Sequence, residues 1–328
     1  MGQSLTRKTE LQAQVSPAFG VTAIFPILIT ANLDTLDIAL SGGMDITAFA
    51  GVAQVGEGIP EIITSVDLVG NGSTPICSVP FTELVNGNIW RRTDGLASIV
   101  SQPGIGADVV AAFSATGTID LKSYLALRPK DTALLESQFN TLQLKLNIAP
   151  DFSGAFSGGT ISVAGSNIAI NVVAHETIEL PNAQGVVTMP TKRILYASRD
   201  VNFAGAANKQ QFLLNPGQTL RGITLRSETA AKALSDAILS AVRVYVGNSL
   251  RYNVSAEGIV AANAAMIKAA RTTGRYFLNF TEESGSLERL NNELDLSLAT
   301  LAGANAYIEL DIAGAGIVKV TQWGHQAV

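Results

Sequence analysis

The seven residues Leu142-Gln143-Leu144-Lys145-Leu146-Asn147-Ile148 alternate strictly between apolar and polar side chains. Successive side chains of a β-strand point to opposite faces, so this run predicts a strand whose leucines enter a core and whose polar residues face away. The same period of two recurs in six other runs, at 62–68, 119–121, 168–172, 223–225, 242–246 and 308–312. Many short strands of this kind indicate an all-β chain of the sandwich or barrel class.

Segments rich in glycine, proline and asparagine separate these runs. They are Gly70-Asn71-Gly72, Asn86-Gly87, Pro103-Gly104, Gly158-Gly159, Pro216-Gly217 and Gly247-Asn248. These residue types supply the backbone angles that tight reversals require. The spacing predicts antiparallel strands joined by turns at these positions.

Helix is predicted in only a few places. The strongest prediction begins after Ser255, whose hydroxyl can accept a hydrogen bond from a free amide of the first turn. Glu257 then occupies a position that the helix dipole favours. Along one face lie Ile259, Ala262, Met266, Ile267 and Ala270. Alanine, leucine and glutamate also favour short helices over 230–241 and 131–139.

Size and composition predict two compact domains. The chain has 328 residues, of which 47% are hydrophobic and 15% charged, which is enough apolar material for two ordinary cores. Between 180 and 192, Pro181, Asn182, Gly185 and Pro190 collect without any alternation, as in a connection between domains. We therefore expect an N-terminal arm at 1–14, a first domain at 15–180, a linker at 181–192 and a second domain at 193–328.

The two halves of the sequence contain similar segments in the same order. In the first half, 66–73 precedes 117–121 and then the strand at 142–148. In the second half, 244–249 precedes 274–278 and then 308–312. The spacings differ and few residues are identical, so this order is compatible both with two similar domains and with chance.

Charge and cysteine content narrow the classes of function. The net charge is −5, and the lysines and arginines are scattered, so the chain lacks the basic patch that specific nucleic-acid binding requires. Cys77 is the single cysteine, which fits maturation in a reducing cytoplasm. The apolar stretch 21–40 contains Pro26, Asp34 and Asp37, so we interpret it as buried strands and not as a membrane span.

The chain offers few residues for catalysis or metal binding. His175 and His325 are the only histidines, and neither has the neighbours that a zinc site needs. His175-Glu176-Thr177-Ile178-Glu179 begins like a zincin motif, but Glu179 replaces the second histidine and the segment follows a predicted strand. Gly104-Ile105-Gly106 and Gly314-Ala315-Gly316 do not complete a dinucleotide-binding loop. We therefore predict no catalytic, cofactor-binding or metal-binding site and no cofactor.

Paired carboxylates and one aromatic-basic cluster remain as candidates. The pairs are Glu282-Glu283, Glu293 with Asp295, and Glu309 with Asp311. Such pairs could serve as the acid and base of a glycosidase. Glu309 and Asp311, however, occupy the polar positions of an alternating strand, which is typical of a solvated or interface face. Trp90-Arg91-Arg92 has a composition favoured at protein interfaces and predicts a loop contact within an assembly.

The second half contains an ordered set of segments: 212–225, with Asn215-Pro216-Gly217, then 241–248, the predicted helix, 274–280 and 306–312. This set resembles the C-terminal jelly roll of major capsid proteins from icosahedral, membrane-containing phages of the tectivirus and corticovirus lineage. The resemblance covers roughly the last 120 residues in texture and order. The first half fits that family only through the repeated order of segments and the class of its strands.

The resemblance implies a fold of two tandem jelly-roll sandwiches with a few short helices. It also implies a structural role, as a non-enzymatic subunit that forms homotrimers with six similar lobes for an icosahedral shell. The expected partners are other copies of the chain, neighbouring trimers, minor capsid and vertex proteins, and an internal lipid membrane. The expected location is the virion, after synthesis in the host cytoplasm.

Two other functions share this composition and alternation. A two-domain β-sandwich binding module, such as a lectin, adhesin or receptor-binding protein, would have a ligand-selective site, although the sequence has no Asp-rich loop for calcium. A carbohydrate-active β-sandwich enzyme would use the carboxylates named above. We expect the capsid function in preference to both.

Overall fold

The fold is taken from a computed structural model, in which the described residues are 4–28, 31–91, 100–122, 133–134, 138–180, 192–215, 219–266, 272–280, 294–295 and 306–327. The chain divides into two compact units, Met1–Ile194 and Leu195–Ala327, hereafter the N-terminal and C-terminal units. The predicted linker at 181–192 and the predicted helix at 131–139 lie largely outside the described residues.

The N-terminal unit contains a short 3₁₀ helix, Ile59–Ile62, and the following elements in chain order: β1 Ser4–Val15, β2 Thr22–Ile27, β3 Asn32–Ala48, β4 Ala53–Gln54, β5 Ile63–Gly70, β6 Thr74–Val79, α1 Phe81–Arg91, β7 Val100–Ser101, β8 Val110–Asp120, β9 Leu142–Ile148, β10 Phe156–Ser157 and β11 Thr160–Glu179. One sheet has the order β1-β11-β3-β8-β7, and β6, β5, β9 and β2 lie side by side in another. The paired strands are antiparallel.

The C-terminal unit has these elements: β12 Lys192–Phe203, which begins at the boundary, β13 Ala207–Leu213, β14 Thr219–Glu228, β15 Leu239–Val246, β16 Ser249–Ser255, α2 Ala256–Met266, β17 Arg275–Asn279, β18 Leu294–Asp295, β19 Ala306–Ile312 and β20 Gly316–Ala327. One sheet contains β17, β14, β20 and β12 in this order, and the other has the order β13-β19-β15-β16.

Both units follow the same strand plan. Among the described residues, each has eight strands longer than two residues. In chain order, the first, eighth, third and sixth of these form one sheet, and the second, seventh, fourth and fifth form the other. This is the arrangement of a jelly roll. The segments that repeat in the sequence fall on the fourth, sixth and seventh strands of each unit, so the repeated order reflects a shared topology.

The alternating residues form the cores, as predicted. In β9, Leu144 and Leu146 have no exposed surface, while Lys145 between them is partly exposed. In β19, Ile308 and Leu310 are likewise fully buried. The stretch 21–40 forms β2 and the start of β3, with Phe25, Leu36 and Ile38 buried, which confirms the interpretation as strands. No helix within the described residues is long and apolar enough to cross a membrane.

The structure of the N-terminal segment differs from the one predicted from its sequence. The segment 1–14 was expected to be an arm outside the first domain, but Ser4–Val15 is strand β1, paired with β11 from Ser4 opposite Glu179 to Val15 opposite Ile170. Leu5, Thr6, Arg7 and Lys8 are all exposed, and two register shifts interrupt the strand after Glu10. An edge strand that is exposed on both faces shows no alternation, so its sequence gave no strand signal.

Helix α1 was not predicted, because Asn86-Gly87 was interpreted as a turn. Within the helix, Asn86 Nδ2 donates to the carbonyl of Thr82 at 3.1 Å. Phe81, Leu84 and Val85 are buried, with the three- and four-residue spacing of a helical face. A Cβ added at Gly117 would lie 2.7 Å from the Phe81 ring, so α1 packs closely on β8 at this glycine.

The predicted helix after Ser255 is confirmed as α2, and the amide of Gly258 donates to Ser255 Oγ at 3.1 Å. Its buried face differs in part from the prediction. Ile259 is buried together with Ala256 and Asn263, whereas Ala262 is exposed. The predicted helix at 230–241 is wrong. Turns occupy its first part, and Leu239, which is buried, begins β15.

Candidate functional site

His175 and Glu176, neighbours on β11, contact different partners. His175 Nε2 lies 2.7 Å from Asp37 Oδ2 on β3. Glu176 Oε2 accepts hydrogen bonds from Arg7 Nε at 2.9 Å and Nη2 at 2.6 Å, and from Thr9 Oγ1 at 3.1 Å, all on β1. Glu179 ends the same strand, where positions four apart do not converge as they do on a helix. The zincin-like segment is therefore part of a sheet, as its position after a predicted strand indicated.

The other candidate residues do not form a catalytic cluster within the described part of the chain. No group of three or more histidine, cysteine, aspartate or glutamate side chains is placed there to hold a metal ion. Cys77 is buried in β6. His325 lies on β20, Asp295 on β18, and Trp90 and Arg91 at the end of α1. Glu282, Glu283, Glu293 and Arg92 lie outside the described residues.

The two glycine pairs occur at chain reversals. Gly104 and Gly106 lie between β7 and β8. Gly314 lies between β19 and β20, and Gly316 is the first residue of β20. A dinucleotide-binding loop would require a strand followed by a helix at these positions. Both pairs therefore lie at connections between strands.

Glu309 and Asp311 share one arginine. Arg243 Nη1 donates to Glu309 Oε1 at 2.9 Å, and Arg243 Nη2 donates to Asp311 Oδ2 at 2.7 Å. The hydrogen bond from Arg243 lowers the pKa of Asp311, and the reciprocal bond raises the pKa of Arg243. A glycosidase acid needs a carboxyl group with a raised pKa, so Asp311 is tuned in the opposite direction. Glu309 is buried, so of the two predicted environments, a solvated or an interface face, the solvated one does not apply to it.

An apolar row crosses the outward face of the same sheet. Leu213 pairs with Tyr307, Tyr307 with Tyr245, and Tyr245 with Leu250, so one residue from each of β13, β19, β15 and β16 lies in a line. The tyrosine rings stack with centroids 4.7 Å apart and planes 14° apart. Leu213 is 59% exposed and Leu250 46% exposed. We call these four residues the aromatic row.

The N-terminal unit carries a second apolar row, on the edge strand β2. Ile24, Pro26 and Leu28 are exposed at every second position, while Ala23, Phe25 and Ile27 between them are buried. Ile24 is 51% exposed and Leu28 83% exposed. We call Ile24, Pro26 and Leu28 the β2 row. Neither row is evident from the sequence alone, because strand prediction depends on the buried positions of each strand. The sequence does contain a sign of the two rows, because Tyr245, Tyr307 and Ile24 occupy the alternate strand positions that are expected to be polar.

No protein-family model matches this sequence, and no curated protein is similar to it in sequence. Solved structures do share its fold. The major capsid protein of STIV, the Sulfolobus turreted icosahedral virus, superposes with a TM-score of 0.74 at 14% identity, over 98% of this chain and 97% of that chain.

Two further capsid proteins match along nearly their whole length. The major capsid protein P2 of bacteriophage PM2 has a TM-score of 0.62 at 10% identity, covering 99% of this chain and 98% of that one. The PBCV-1 virus capsid protein has the same TM-score and identity, covering 99% of this chain and 94% of that one. These proteins are double jelly-roll capsid proteins. This chain therefore has the double jelly-roll fold found in the major capsid proteins of those viruses.

Proposed function

We propose that this chain is a viral major capsid protein that forms pseudo-hexameric trimers in an icosahedral shell. The observation that carries the proposal is the match to the STIV capsid protein over 98% of this chain and 97% of that one, which includes both jelly rolls. A chain with two similar lobes presents six lobes when three copies close into a ring. Six lobes suit a hexagonal position in a shell.

A structural role without catalysis is part of this proposal. Glu309 and Asp311 are bound to Arg243, and Glu176 is bound to Arg7. These ion pairs hold strands together, which is a use consistent with a building block.

The proposal includes the partners and location expected for a capsid subunit. The principal partner is the chain itself, first within a trimer and then between trimers, followed by minor capsid and vertex proteins and an internal lipid membrane. Specific nucleic-acid binding is not included, because the net charge is −5. The chain would reside in the virion after synthesis in the host cytoplasm. We further propose that 181–192 connects the two jelly rolls, with 193–328 forming the second.

Light scattering coupled to size-exclusion chromatography, followed by electron microscopy, tests the proposal. We expect a species of three times the 34.3 kDa chain mass, with a pseudo-hexagonal outline in projection. A monomer that stays monomeric at high concentration and binds a glycan on an array would contradict the proposal in favour of a β-sandwich binding module.

A further inference from the structure

We infer that the aromatic row of one copy docks on the β2 row of a second copy, in a head-to-tail contact. This inference rests on the proposed function, because it names the surfaces through which copies of the chain would associate. It assigns Leu213, Tyr245, Tyr307 and Leu250 to one side of the contact. Ile24, Pro26 and Leu28 form the other side.

The aromatic row has the composition of an interface centre with a polar margin. Tyrosine is enriched where a rigid apolar surface meets a partner, and charged residues are typical of the rim. Beside the row lie Gln211, Glu309, Arg243 and Asn253, which pair across the same four strands. Arg243 already pairs with two carboxylates, so no arginine charge beside the row is left without a partner when a second copy covers it.

The β2 row is suited to contact through side chains and not through strand addition. Strand β2 pairs with β9 and ends the order of its sheet. Pro26 has no amide hydrogen, and proline in an edge strand opposes pairing with a further strand. Ile24 and Leu28 nevertheless expose half or more of their surface. The strand therefore offers an apolar face to a partner while its backbone edge is protected.

The charges of the two units favour contact between unlike units. The N-terminal unit has 10 basic and 16 acidic residues, and the C-terminal unit has 12 basic and 11 acidic residues. A contact between two N-terminal units would bring two clearly negative surfaces together. A contact between an N-terminal and a C-terminal unit avoids that repulsion and adds a weak attraction.

A second copy of the chain can cover both rows at once. Each copy has one aromatic row and one β2 row, so a head-to-tail contact repeats and closes when the rotation between copies completes a ring. An isologous contact between two aromatic rows would leave every β2 row exposed. Closure of the ring covers all of the apolar residues named here.

The first experiment removes each row separately in the full-length chain. Leu250→Ser alters the aromatic row and Leu28→Ser alters the β2 row, and both side chains are exposed, so each variant should keep the thermal transition of the parent protein. We expect both variants to lose the trimer peak in light scattering. Val110→Ser is the matched control, because Val110 is 56% exposed on β8 but belongs to neither row. Its trimer peak should be unchanged.

The second experiment identifies which surfaces meet. Cys77 is buried and is the single native cysteine, so introduced thiols can be followed without interference. Chains carrying Leu28→Cys and chains carrying Leu250→Cys, of different tag length, are mixed and oxidised. We expect the mixed disulfide dimer to dominate over both self-paired dimers. Dominant self-pairing of Leu250→Cys chains would show an isologous contact and overturn the inference.

The outcomes separate this inference from the proposed function. A parent chain that forms no trimer contradicts the proposed function itself. A parent trimer that persists in both serine variants and yields no mixed disulfide leaves the capsid proposal in place but overturns the assignment of the two rows. Sedimentation with phosphatidylglycerol vesicles provides a further check. If the serine variants lose vesicle binding but keep the trimer, the rows contact lipid and the inference is wrong.

Discussion

Two sheets correspond to each other in the two units: β6-β5-β9-β2 and β13-β19-β15-β16. Their buried faces are alike, and their outward faces differ. Their interior positions hold fully buried aliphatic residues, such as Leu144 in β9 and Ile308 in β19. Their outward faces share no such pattern. The alternation that fixes the strand plan constrains only the buried phase, so the outward phase is free to differ between two domains of one topology.

On the N-terminal unit, the outward face carries a hydrogen-bond network around Asp67. Thr22 Oγ1 donates to Asn147 Oδ1 at 2.6 Å, and Asn147 Nδ2 donates to Ser65 Oγ at 2.6 Å and to Asp67 Oδ2 at 3.1 Å. Ser78 Oγ donates to the other oxygen of Asp67 at 2.6 Å. The network crosses β2, β9, β5 and β6. Short polar side chains of this kind are well solvated, and the β2 row at the edge of the same face supplies its exposed apolar surface.

On the C-terminal unit, the outward face combines the Arg243 ion pairs with the aromatic row. Larger side chains project there, and two of them are tyrosines in contact with each other. The comparison indicates that the interior of each sheet specifies the fold while the outward face specifies the role of the unit. Substitutions at the two kinds of position should therefore differ in size and in kind.

Interior substitutions should have the largest effect. Leu144→Asp and Ile308→Asp each bury an unpaired charge, and we expect each to destabilise its unit by about 4 kcal/mol or more. Lys145→Asp, on the outward side of β9, should cost no more than about 1 kcal/mol. Differential scanning calorimetry would measure both. Equal unfolding midpoints for Leu144→Asp and Lys145→Asp would contradict the assigned strand faces.

Removal of the Arg243 side chain should have the second-largest effect on stability. Arg243→Met leaves the buried carboxylate of Glu309 without its cationic partner, and we expect a loss of about 3 kcal/mol. Arg251→Met, at an exposed position of β16, is the control and should be close to neutral. Denaturant unfolding followed by tyrosine fluorescence would report on the C-terminal unit. A loss in Arg243→Met no larger than in the control would show that the ion pairs contribute nothing to that sheet.

The pH dependence of Arg243→Met sharpens this test. Because the pKa of Asp311 is lowered in the folded chain, its contribution is fully present above the unfolded-state value of 3.8 and is lost as the pH falls through the folded-state pKa. The stability difference between the parent chain and Arg243→Met should therefore be constant near neutral pH and shrink below pH 3.8. If the stability difference instead grew on acidification, the lowered pKa of Asp311 would not explain the pH dependence, and another group would have to be responsible.

Loss of the ion pair on β1, the first strand of the N-terminal unit, should have a smaller effect on stability. Arg7→Ala leaves the buried carboxylate of Glu176 with Thr9 as its remaining partner on β1. Because the Arg7 side chain is 43% exposed, part of the interaction is screened, and we expect a loss of about 2 kcal/mol. Hydrogen exchange should accelerate in β1 and at its pairing positions on β11. Lys8→Ala, at the next residue, should leave these rates unchanged if the ion pair holds β1 in register.

The sequence predicted most of the interior and little of the outward faces, for a physical reason. Burial imposes a strict period of two, so the runs around Leu144, Val244 and Ile308 were identifiable without any structure. The described side chains of strand β1 show no buried phase, and α1 contains the turn-like pair Asn86-Gly87, so both elements were missed. The predicted helix at 230–241 failed because helix propensity is weaker than the packing of residues such as Leu239 in β15.

The aromatic row and the Arg243 ion pairs depend on contacts between residues distant in sequence. Glu309 and Asp311 were noticed as a pair, but their shared partner lies 66 and 68 residues earlier in the chain. Strand register brings them together, and register is set by the whole sheet. The sequence showed which residues were available, whereas the topology determined which of them meet.

The smallest effect is expected for the N-terminal network. Asn147→Ala removes three hydrogen bonds, but Thr22, Ser65 and Asp67 can each recover a partner from water at the surface, so the loss should be about 1 kcal/mol. Gln143→Ala, on the same face of β9, is the matched control. Chemical denaturation of the N-terminal unit would measure both variants. If Asn147→Ala instead costs as much as Arg243→Met, the N-terminal outward face is as strongly coupled to stability as the C-terminal one. The contrast between a solvated network and a structural ion-pair centre would then no longer hold.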